Sequence, residues 1–345
     1  MDHFQVIKMK KAIQLLVFLI VQIPLIPVAI IGVVLVMYKE YVVAKRLGIS
    51  PTTLGAIPNK WLMHYFGTRP DEATVKFFKW LPMESHLGYF ATSIAAIIAN
   101  RVTGFTPALV AVPEAGTETL ATFQNPKTLE FDRIMIGYVD QVEQVVVMGA
   151  GFDLRVLKLT AGKNVKVFEL DLENAQNLKL KTLKKARIAH DWVTYISVNF
   201  DIESWVDKLN SAGFDKSRKT LFFAESVTPY LQGALEDTLE KVSELSAPGS
   251  VFAQDFFSSE FIESLQKMSS TLRAFNLWGV DMSGDTKTLI ESLLETSGFE
   301  LTHIVLFGKM TKKGKPFCAI TVAVKTEFHR YVCADVDDAR PGDES

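Results

Sequence analysis

A long run without charge near the N-terminus constrains this chain more than any other feature. Residues 12–38 contain no Asp, Glu, Lys or Arg, and a helix needs about 20 apolar residues to cross a bilayer. A cleavable signal peptide has an apolar stretch of only about 7–15 residues. The run therefore predicts a transmembrane anchor at 12–38, preceded by a flank at 1–11. Two alternatives stay open: a re-entrant or interfacial hairpin bent at Pro24 and Pro27, and a buried helix of a soluble domain.

Composition limits the classes of function. Apolar residues make up 48 % of the chain and charged residues 22 %, which is enough apolar material for a sizeable core. The formal net charge of −2 gives no electrostatic reason to expect nucleic acid as a partner. The two cysteines, Cys318 and Cys333, are too few for a disulfide scaffold or a cysteine zinc site. No metal site is expected.

From Val142 onward, short apolar strands alternate with helical stretches. Strands are predicted at 144–149, 165–170, 194–200, 220–225 and 250–257, helices at 153–161, 173–190, 202–212 and 232–246, and a closing pair of strands at 299–308 and 315–324. Apolar strands that alternate with helices form parallel sheets covered on both faces. The predicted fold class is α/β: a doubly wound, Rossmann-like, mostly parallel sheet with helices on both faces, plus an N-terminal transmembrane helix.

The remaining segments complete the predicted domain organisation. Residues 39–84 contain several prolines and are interpreted as a linker with short helices. The main domain is placed at 85–330, with cap helices at 85–141. A second apolar region at 86–112 is interrupted by charge and glycine, so we interpret it as a cap or core helix, with a second membrane span as the alternative. The tail at 331–345 is acidic and is predicted to be disordered.

A glycine turn marks the first candidate site. The strand at 144–149 ends in Gly149-Ala150-Gly151, and glycine there lets a ligand approach the backbone at the carboxyl edge of the sheet. A lone G-x-G also occurs in tight turns that bind nothing. The second strand ends in Glu169-Leu170-Asp171, about twenty residues on, where a carboxylate can bind ribose hydroxyls. Either Glu169 or Asp171 could serve, and Asp171 could instead favour the start of the next helix.

Ribose binding fits a nicotinamide dinucleotide as well as S-adenosylmethionine. The dinucleotide fingerprint has Gly or Ala at its sixth position, whereas Leu154 stands there in this sequence. Asp153 also places a negative charge at the helix start, where a pyrophosphate would have to lie. S-adenosylmethionine carries a sulfonium and an ammonium and no phosphate, so the residues favour it as cofactor.

Three ordered segments resemble the leucine carboxyl methyltransferase family. QVVVMGAGFDLRVLKL is similar to that family's Q-V-V-x-L-G-A-G-x-D-T/S-R-x-x-R-L segment, VFELDLENAQNLK to its F-E-x-D-x-P segment, and FFAESVTPYL to its E-G-V-x-x-Y-L segment. The resemblance runs from about Lys127 to Tyr230, and none is found in residues 1–80. It implies S-adenosyl-L-methionine as cofactor and methyl transfer as the reaction.

The resemblance also implies roles for individual residues. Gly149 and Gly151 would lie against the methionine portion of the cofactor, and Asp171 would bind ribose. Glu225 would lie beside the methionine end or the transferring methyl. Tyr230 would help to wall the active site. Asn199 would bond the adenine amino group, and Phe200 would cover the ring, at positions where relatives carry Asp-Leu. Arg155 could pair with Asp153 or brace the loop.

The chain departs from the family pattern at functional positions. Relatives carry an R-T-R-x-x-D segment whose arginine grips the cofactor carboxylate, and here Lys127 takes that place. Lysine supplies charge without the bidentate fork of arginine. Ser226 replaces the glycine that follows the family's glutamate, and Leu154 replaces a threonine or serine. These departures leave the substrate open and keep a degenerate, non-catalytic member as an alternative.

The predicted reaction is O-methylation of a carboxylate or hydroxyl on a lipophilic small molecule or a protein. A carboxylate acceptor needs no general base, whereas a hydroxyl does. His86, His190 and His303 are candidates by residue type only, so no catalytic residue is assigned. The alternatives are a nicotinamide-dependent oxidoreductase and a membrane-tethered scaffold without catalysis.

Flanking charge does not decide the topology of the membrane segment. Basic residues precede and follow the run in near-equal number, namely Lys8, Lys10 and Lys11 before it and Lys39, Lys45 and Arg46 after it. Because the inferred cofactor is cytosolic and the cysteine count does not suggest an oxidised ectodomain, we expect a single-pass membrane protein whose catalytic domain faces the cytosol.

Overall fold

The computed structural model describes residues 3–48, 56–114, 116–268, 277–308 and 316–326. The tail predicted to be disordered, 331–345, and Cys333 lie outside the described residues. In chain order the helices are α1 (His3–Met37), α2 (Ala44–Arg46), α3 (Ala56–Tyr65), α4 (Glu72–Trp80), α5 (His86–Thr103), α6 (Gln124–Tyr138), α7 (Arg155–Thr160), α8 (Glu173–Ala186), α9 (Trp205–Ser211), α10 (Leu235–Glu244), α11 (Ser259–Met268) and α12 (Thr286–Thr296).

Seven strands of the described residues form one sheet. They are β1 (Gln144–Met148), β2 (Lys166–Asp171), β3 (Val193–Ser197), β4 (Thr220–Ala224), β5 (Val251–Phe257), β6 (Phe299–Phe307) and β7 (Cys318–Lys325), in the order β3-β2-β1-β4-β5-β7-β6. Strands β1 to β5 are parallel, and β7 runs antiparallel between β5 and β6. The predicted mostly parallel α/β sheet is confirmed, and the closing pair is the antiparallel part.

Alternate side chains of each strand enter two different cores. In β1, Val145 and Val147 pack with α3, α4 and α6 on one face, whereas Val146 and Met148 pack with α9, α10 and α12 on the other. All five residues of β1 are buried. Successive side chains of a strand point to opposite faces of the sheet, so a central strand covered by helices on both faces is buried at every position.

The predicted segments agree with the observed elements to within a few residues at most ends. The helix predicted at 173–190 ends at Ala186, because Arg187 takes a left-handed conformation (φ 53°) and terminates it. The helix predicted at 153–161 begins at Arg155, and the one predicted at 232–246 begins at Leu235. Two helices, α11 and α12, lie in sequence for which no helix was predicted.

The N-terminal helix is largely exposed. It remains helical through Pro24 and Pro27 and continues through a π-helical turn, Tyr38–Val43, into α2. The stretch Lys8–Arg46 is long and apolar enough to cross a membrane, and only 6 % of its most apolar window is buried. A core helix of a soluble protein would instead be mostly buried.

The segment predicted as a linker contributes to the main core. Trp61 of α3 and Phe77 and Phe78 of α4 are fully buried in the same cluster as strands β1 and β4. Helix α4 begins at an N-cap, since the Asp71 carboxylate accepts from the backbone N–H of Thr74 at 3.0 Å. Residues 56–80 are therefore packed as part of the α/β unit.

Candidate active site

A cavity of about 800 Å³ lies at the carboxyl ends of β1 to β4. The winding of the sheet reverses between β1 and β4, because β2 and β3 lie on one side of β1 and β4 and β5 on the other. Open α/β sheets bind ligands outside the carboxyl ends of the strands at such a switch point. Of the residues predicted to bind cofactor or wall the site, Gly149, Gly151, Asp171, Asn199, Phe200, Glu225 and Tyr230 line this cavity, and Lys127 does not.

The glycine turn has backbone conformations that favour glycine at both positions. Gly149 and Gly151 have φ values of 59° and 49°, in the left-handed region that other residues adopt only with strain. A Cβ on Gly149 would lie 2.9 Å from Cγ2 of Val227. Both conformations therefore favour glycine, and the turn lines the cavity.

Asp171 rather than Glu169 is placed to meet a ligand. One carboxylate oxygen of Asp171 accepts from the backbone N–H of Gly151, and the other accepts from the N–H of Leu172 at 2.6 Å. Burial raises the pKa of Asp171, and these two hydrogen bonds oppose that shift. Each oxygen keeps a second lone pair for a ligand hydroxyl. Glu169 is fully buried, and its Oε2 lies 2.7 Å from Nζ of Lys179.

Arg155 connects the turn after β1 to the end of β4. Its Nη1 lies 2.9 Å from Oδ2 of Asp153 and 2.7 Å from Oε2 of Glu225, and its Nε lies 2.5 Å from Oδ1 of Asp132. On the far side of Asp132, Nε of Arg69 lies 2.6 Å from Oδ2. Arg155 therefore both pairs with Asp153 and braces the loop, the two roles that the sequence left open.

Lys127 lies behind the cavity wall. Its buried ammonium is 2.8 Å from Oδ2 of Asp255, 3.3 Å from Oε1 of Glu225 and 2.8 Å from Oγ of Ser226. Burial disfavours the charged form, yet the Asp255 and Glu225 carboxylates raise the pKa of Lys127 above its usual value. Asp255, on β5, was not predicted from the sequence.

Glu225 is held ionised by its neighbours. Burial works to raise its pKa, but Lys127 and Arg155 lower the pKa of Glu225 to about 2. The residue after it, Ser226, has a φ of 62°, which explains why relatives carry glycine there. The Ser226 backbone N–H donates to Oδ1 of Asp255 at 2.8 Å, and its Oγ accepts from Lys127. Hydrogen bonds to both its backbone and its side chain therefore hold the strained conformation.

Lys60 of α3 is the cavity-lining cation nearest this cluster, and no sequence pattern pointed to it. Its Nζ lies 3.2 Å from Oδ2 of Asp153, and it contributes to lowering the pKa of Glu225. The resemblance does not extend to residues 1–80, so only the fold brings Lys60 to the site.

The third strand supplies the remaining predicted contacts. Asn199 and Phe200 follow β3 and line the cavity, half-buried. The side-chain oxygen of Asn199 accepts from the backbone N–H of Asp201 at 3.0 Å, which fixes the turn. Tyr230 lines the opposite side and is 45 % exposed.

None of the three histidines considered as bases lines the cavity. His86 contacts the Trp61 ring, His190 contacts the Tyr195 ring, and Nε2 of His303 lies 2.9 Å from Oε1 of Glu130. Within the described residues, the cavity therefore offers carboxylates, lysines and a tyrosine hydroxyl as its titratable groups.

Comparison with known proteins identifies the family that the site resembles. Residues 99–243 match the leucine carboxyl methyltransferase family, which confirms the resemblance found in the sequence over that range. A protein of Mycobacterium marinum is 32 % identical over 183 residues, 52 % of this chain and 56 % of its own length. One of Mycolicibacterium vanbaalenii is 32 % identical over 184 residues, 51 % of this chain and 60 % of its own length. Both carry the name S-adenosyl-L-methionine-dependent methyltransferase as a provisional assignment.

The chain spans about half the length of the curated relatives that it matches. Among solved structures, magnesium protoporphyrin IX methyltransferase of Synechocystis PCC 6803 with bound S-adenosylhomocysteine aligns with a TM-score of 0.41 at 11 % identity. That alignment covers 62 % of this chain and 90 % of the other. A likeness of this size carries nothing about substrate or mechanism.

Proposed function

From the match of residues 99–243 to the leucine carboxyl methyltransferase family, we propose that this chain is an S-adenosyl-L-methionine-dependent methyltransferase. The observation that carries the proposal is the hydrogen bond from the Gly151 N–H to the Asp171 carboxylate. It joins the glycine turn to the ribose-binding position at the mouth of one cavity. The same cavity ends at the ionised Glu225.

The charge of the cavity supports a cationic cofactor. Of the charged side chains that line it, six are acidic and two are basic. A sulfonium and an ammonium are favoured in such a field, whereas a pyrophosphate is not. Asp153 stands at the start of α7, where the nicotinamide alternative needs its phosphates, so the geometry supports S-adenosylmethionine over a dinucleotide.

Individual residues fit parts of this cofactor. Asp171 would accept from the ribose hydroxyls, and Asn199 and Phe200 would meet the adenine. The backbone of Gly149 and Gly151 would lie against the methionine portion. Lys60 would meet the cofactor carboxylate, because it lines the cavity, while Lys127 would hold Glu225 in place from behind. When bound, the cofactor supplies the methyl group.

The acceptor is proposed to be an oxygen that needs little help to lose its proton. Methyl transfer from sulfonium is an in-line displacement, so the protein must mainly hold the acceptor about 3 Å from the methyl. Lys127 and Arg155 hold the pKa of Glu225 well below its usual value, so this carboxylate is a weak base, and no histidine is among the described lining residues. A carboxylate acceptor, already ionised at neutral pH, fits this site better than an alcohol.

Membrane attachment is the second part of the proposal. The run without charge at 12–38, which forms most of α1, would attach the chain to the membrane, with the catalytic domain in the cytosol where the cofactor is found. The helical continuation of α1 ends near the cavity rim, since Gly48 lines the cavity two residues beyond Arg46 of α2. This arrangement favours a lipophilic or membrane-bound acceptor.

Calorimetry on the full chain in detergent or nanodiscs tests the cofactor. S-adenosylmethionine and S-adenosylhomocysteine should bind, and NAD should not. Transfer of tritiated methyl groups to membrane extracts, with Asp171→Ala as the control, then tests catalysis. Heat from NAD and none from S-adenosylmethionine would contradict the proposal, and cofactor binding without any transfer would favour the non-catalytic scaffold.

A further inference from the structure

Helix α5 packs along α1 through small residues. Backbones touch at Gly32 and Gly88, where a Cβ on either glycine would lie 2.7 Å from the carbonyl oxygen of the other. At the other end of the pair, the Gln14 amide donates to the Thr103 carbonyl at 2.9 Å. The two helices are therefore antiparallel and in direct contact from one end of α5 to the other.

A second face of α5 packs against the catalytic domain. The His86 and Tyr89 rings lie 5.8 and 6.4 Å from the Trp61 ring. Further along the helix, Ile97 is buried in a small cluster with Phe66 and Val110. Through these contacts α5 is fixed to the domain at both its N-terminal end and its second half.

The third face of α5 is apolar and exposed. Leu87, Phe90, Ile98 and Val102 form this stripe, with exposed fractions of 72, 37, 37 and 69 %. Between Leu87 and Gly104 the only charged residue is Arg101. A soluble helix would carry polar side chains on its outward face, so this stripe has the composition of a buried surface.

The exposed face of α1 adjoins this stripe. Partly or fully buried residues of α1 recur every three or four positions, at Gln14, Phe18, Val21, Leu25, Ala29, Gly32 and Val36, and most side chains between them are exposed and apolar. The two helices touch with no layer between them. The medium that surrounds the exposed face of α1 therefore also contacts the neighbouring stripe on α5.

We propose that bilayer lipid covers both helices, so that the stripe on α5 is a second membrane-contacting surface. This inference rests on the proposed membrane attachment of α1. It makes α5 a bridge: one face meets lipid, one meets α1, and one is packed on the domain that carries the cavity. The catalytic domain would thus be seated on the membrane in a fixed orientation, not tethered loosely by a linker.

Charge placement supports this arrangement. The Gln14–Thr103 contact puts Arg101 at the same end of the pair as Lys8, Lys10 and Lys11. At the opposite end, Lys39 is engaged with the Pro82 carbonyl at 2.8 Å, and Lys45 and Arg46 follow. Basic side chains thus border both ends of an uncharged band, where long basic side chains reach the lipid headgroups.

Site-directed fluorescence quenching tests the proposal on the full chain in phosphatidylcholine vesicles. Single cysteines at Ile98 and Val102 are labelled in a Cys333→Ser background, in which Cys318 is fully buried. Ile23 of α1, 63 % exposed, is the positive control, and Ile202, 81 % exposed near the cavity, is the matched apolar control. Quenching is compared between nitroxide-bearing lipid and aqueous iodide.

We expect labels at Ile98 and Val102 to lose fluorescence to the lipid quencher to nearly the extent seen at Ile23, and the label at Ile202 to respond to iodide. If Ile23 is quenched by lipid but Ile98 and Val102 respond to iodide, the stripe is aqueous and this inference fails alone. If Ile23 also responds to iodide, the membrane attachment itself fails. Labels at Ile98 and Val102 that are shielded from both quenchers would mean that protein covers the stripe, which also overturns the proposal.

Discussion

The Gly151 backbone N–H donates to the Asp171 carboxylate, so the turn after β1 and the end of β2 are locked together at the cavity mouth. The second oxygen of Asp171 is held by the Leu172 N–H. This carboxylate is therefore oriented before any ligand arrives, which reduces the cost of ordering it on binding.

Asp171→Ala should weaken cofactor binding by roughly 1.5–3 kcal/mol, the range for a lost hydrogen bond to a charged group, or about 10- to 150-fold in Kd. Glu169→Ala should act on stability instead, because it leaves Lys179 buried without its carboxylate. Calorimetry with S-adenosylhomocysteine measures the first effect and thermal unfolding the second. A larger loss of affinity in Glu169→Ala than in Asp171→Ala would show that the wrong carboxylate was chosen.

Substitutions of the two lysines near Glu225 should also differ in effect, one on cofactor affinity and the other on stability. Lys60→Met removes the ammonium of a cavity-lining residue and should raise the Kd of S-adenosylmethionine, with Lys60→Arg restoring most of the affinity. Lys127→Met leaves Asp255 buried without its cation and leaves Glu225 paired with Arg155 alone. Breaking a buried pair costs about 3–5 kcal/mol of folding free energy. Denaturant midpoints and titration calorimetry on both variants distinguish the roles. Normal stability of Lys127→Met together with weak cofactor binding would place Lys127, not Lys60, at the ligand.

Features that depend on neighbouring residues could be predicted from the sequence, whereas features that depend on distant residues could not. The apolar strands and the Gly149–Gly151 turn with its carboxylate are short-range patterns, and they predicted the sheet and one side of the cavity. Lys60 entered the site through the packing of α3, far away in sequence, and no local pattern marks it. Asp255 did leave a signal, since an acid inside an apolar central strand requires a buried cation, but its partner Lys127 lies on a distant helix. Long-range pairing of this kind is set by tertiary structure, which periodicity does not encode.

Ser226 offers a test of backbone strain. In Ser226→Gly the left-handed conformation becomes unstrained, a gain of roughly 1–2 kcal/mol, while the hydrogen bond from the Lys127 ammonium to Oγ is lost at a cost of about 1.5–3 kcal/mol. Ser226→Ala loses the same bond and keeps the strain. The glycine variant should therefore be slightly less stable than wild type, and the alanine variant should be less stable than the glycine variant by about 1–2 kcal/mol. Equal stability of the two variants would argue that φ at this position is relaxed in solution.

Glu84 should give the fold a specific pH dependence. Its side chain is buried between α4 and α5, and neither carboxyl oxygen has a hydrogen-bond partner in the part of the chain that the structure describes. Burial, with a contribution from Glu40, raises the pKa of Glu84 to about 9. The unfolded chain ionises this group near its usual pKa of 4.5. Below that value both states are protonated and Glu84 imposes no penalty.

As pH rises from about 4.5 to about 9, only the unfolded state loses the Glu84 proton, so the folded state is progressively disfavoured, by at most about 1.4 kcal/mol per pH unit. Glu84→Gln keeps the shape and removes the titration. We expect the variant to match wild type at pH 4.5 and to be more stable at pH 8, as measured by urea midpoints in detergent. Glu72→Gln, at an exposed position in α4, is the control and should track wild type at both pH values. A Glu84→Gln variant that is no more stable than wild type at pH 8 would show that Glu84 reaches solvent or a cationic partner in the folded protein.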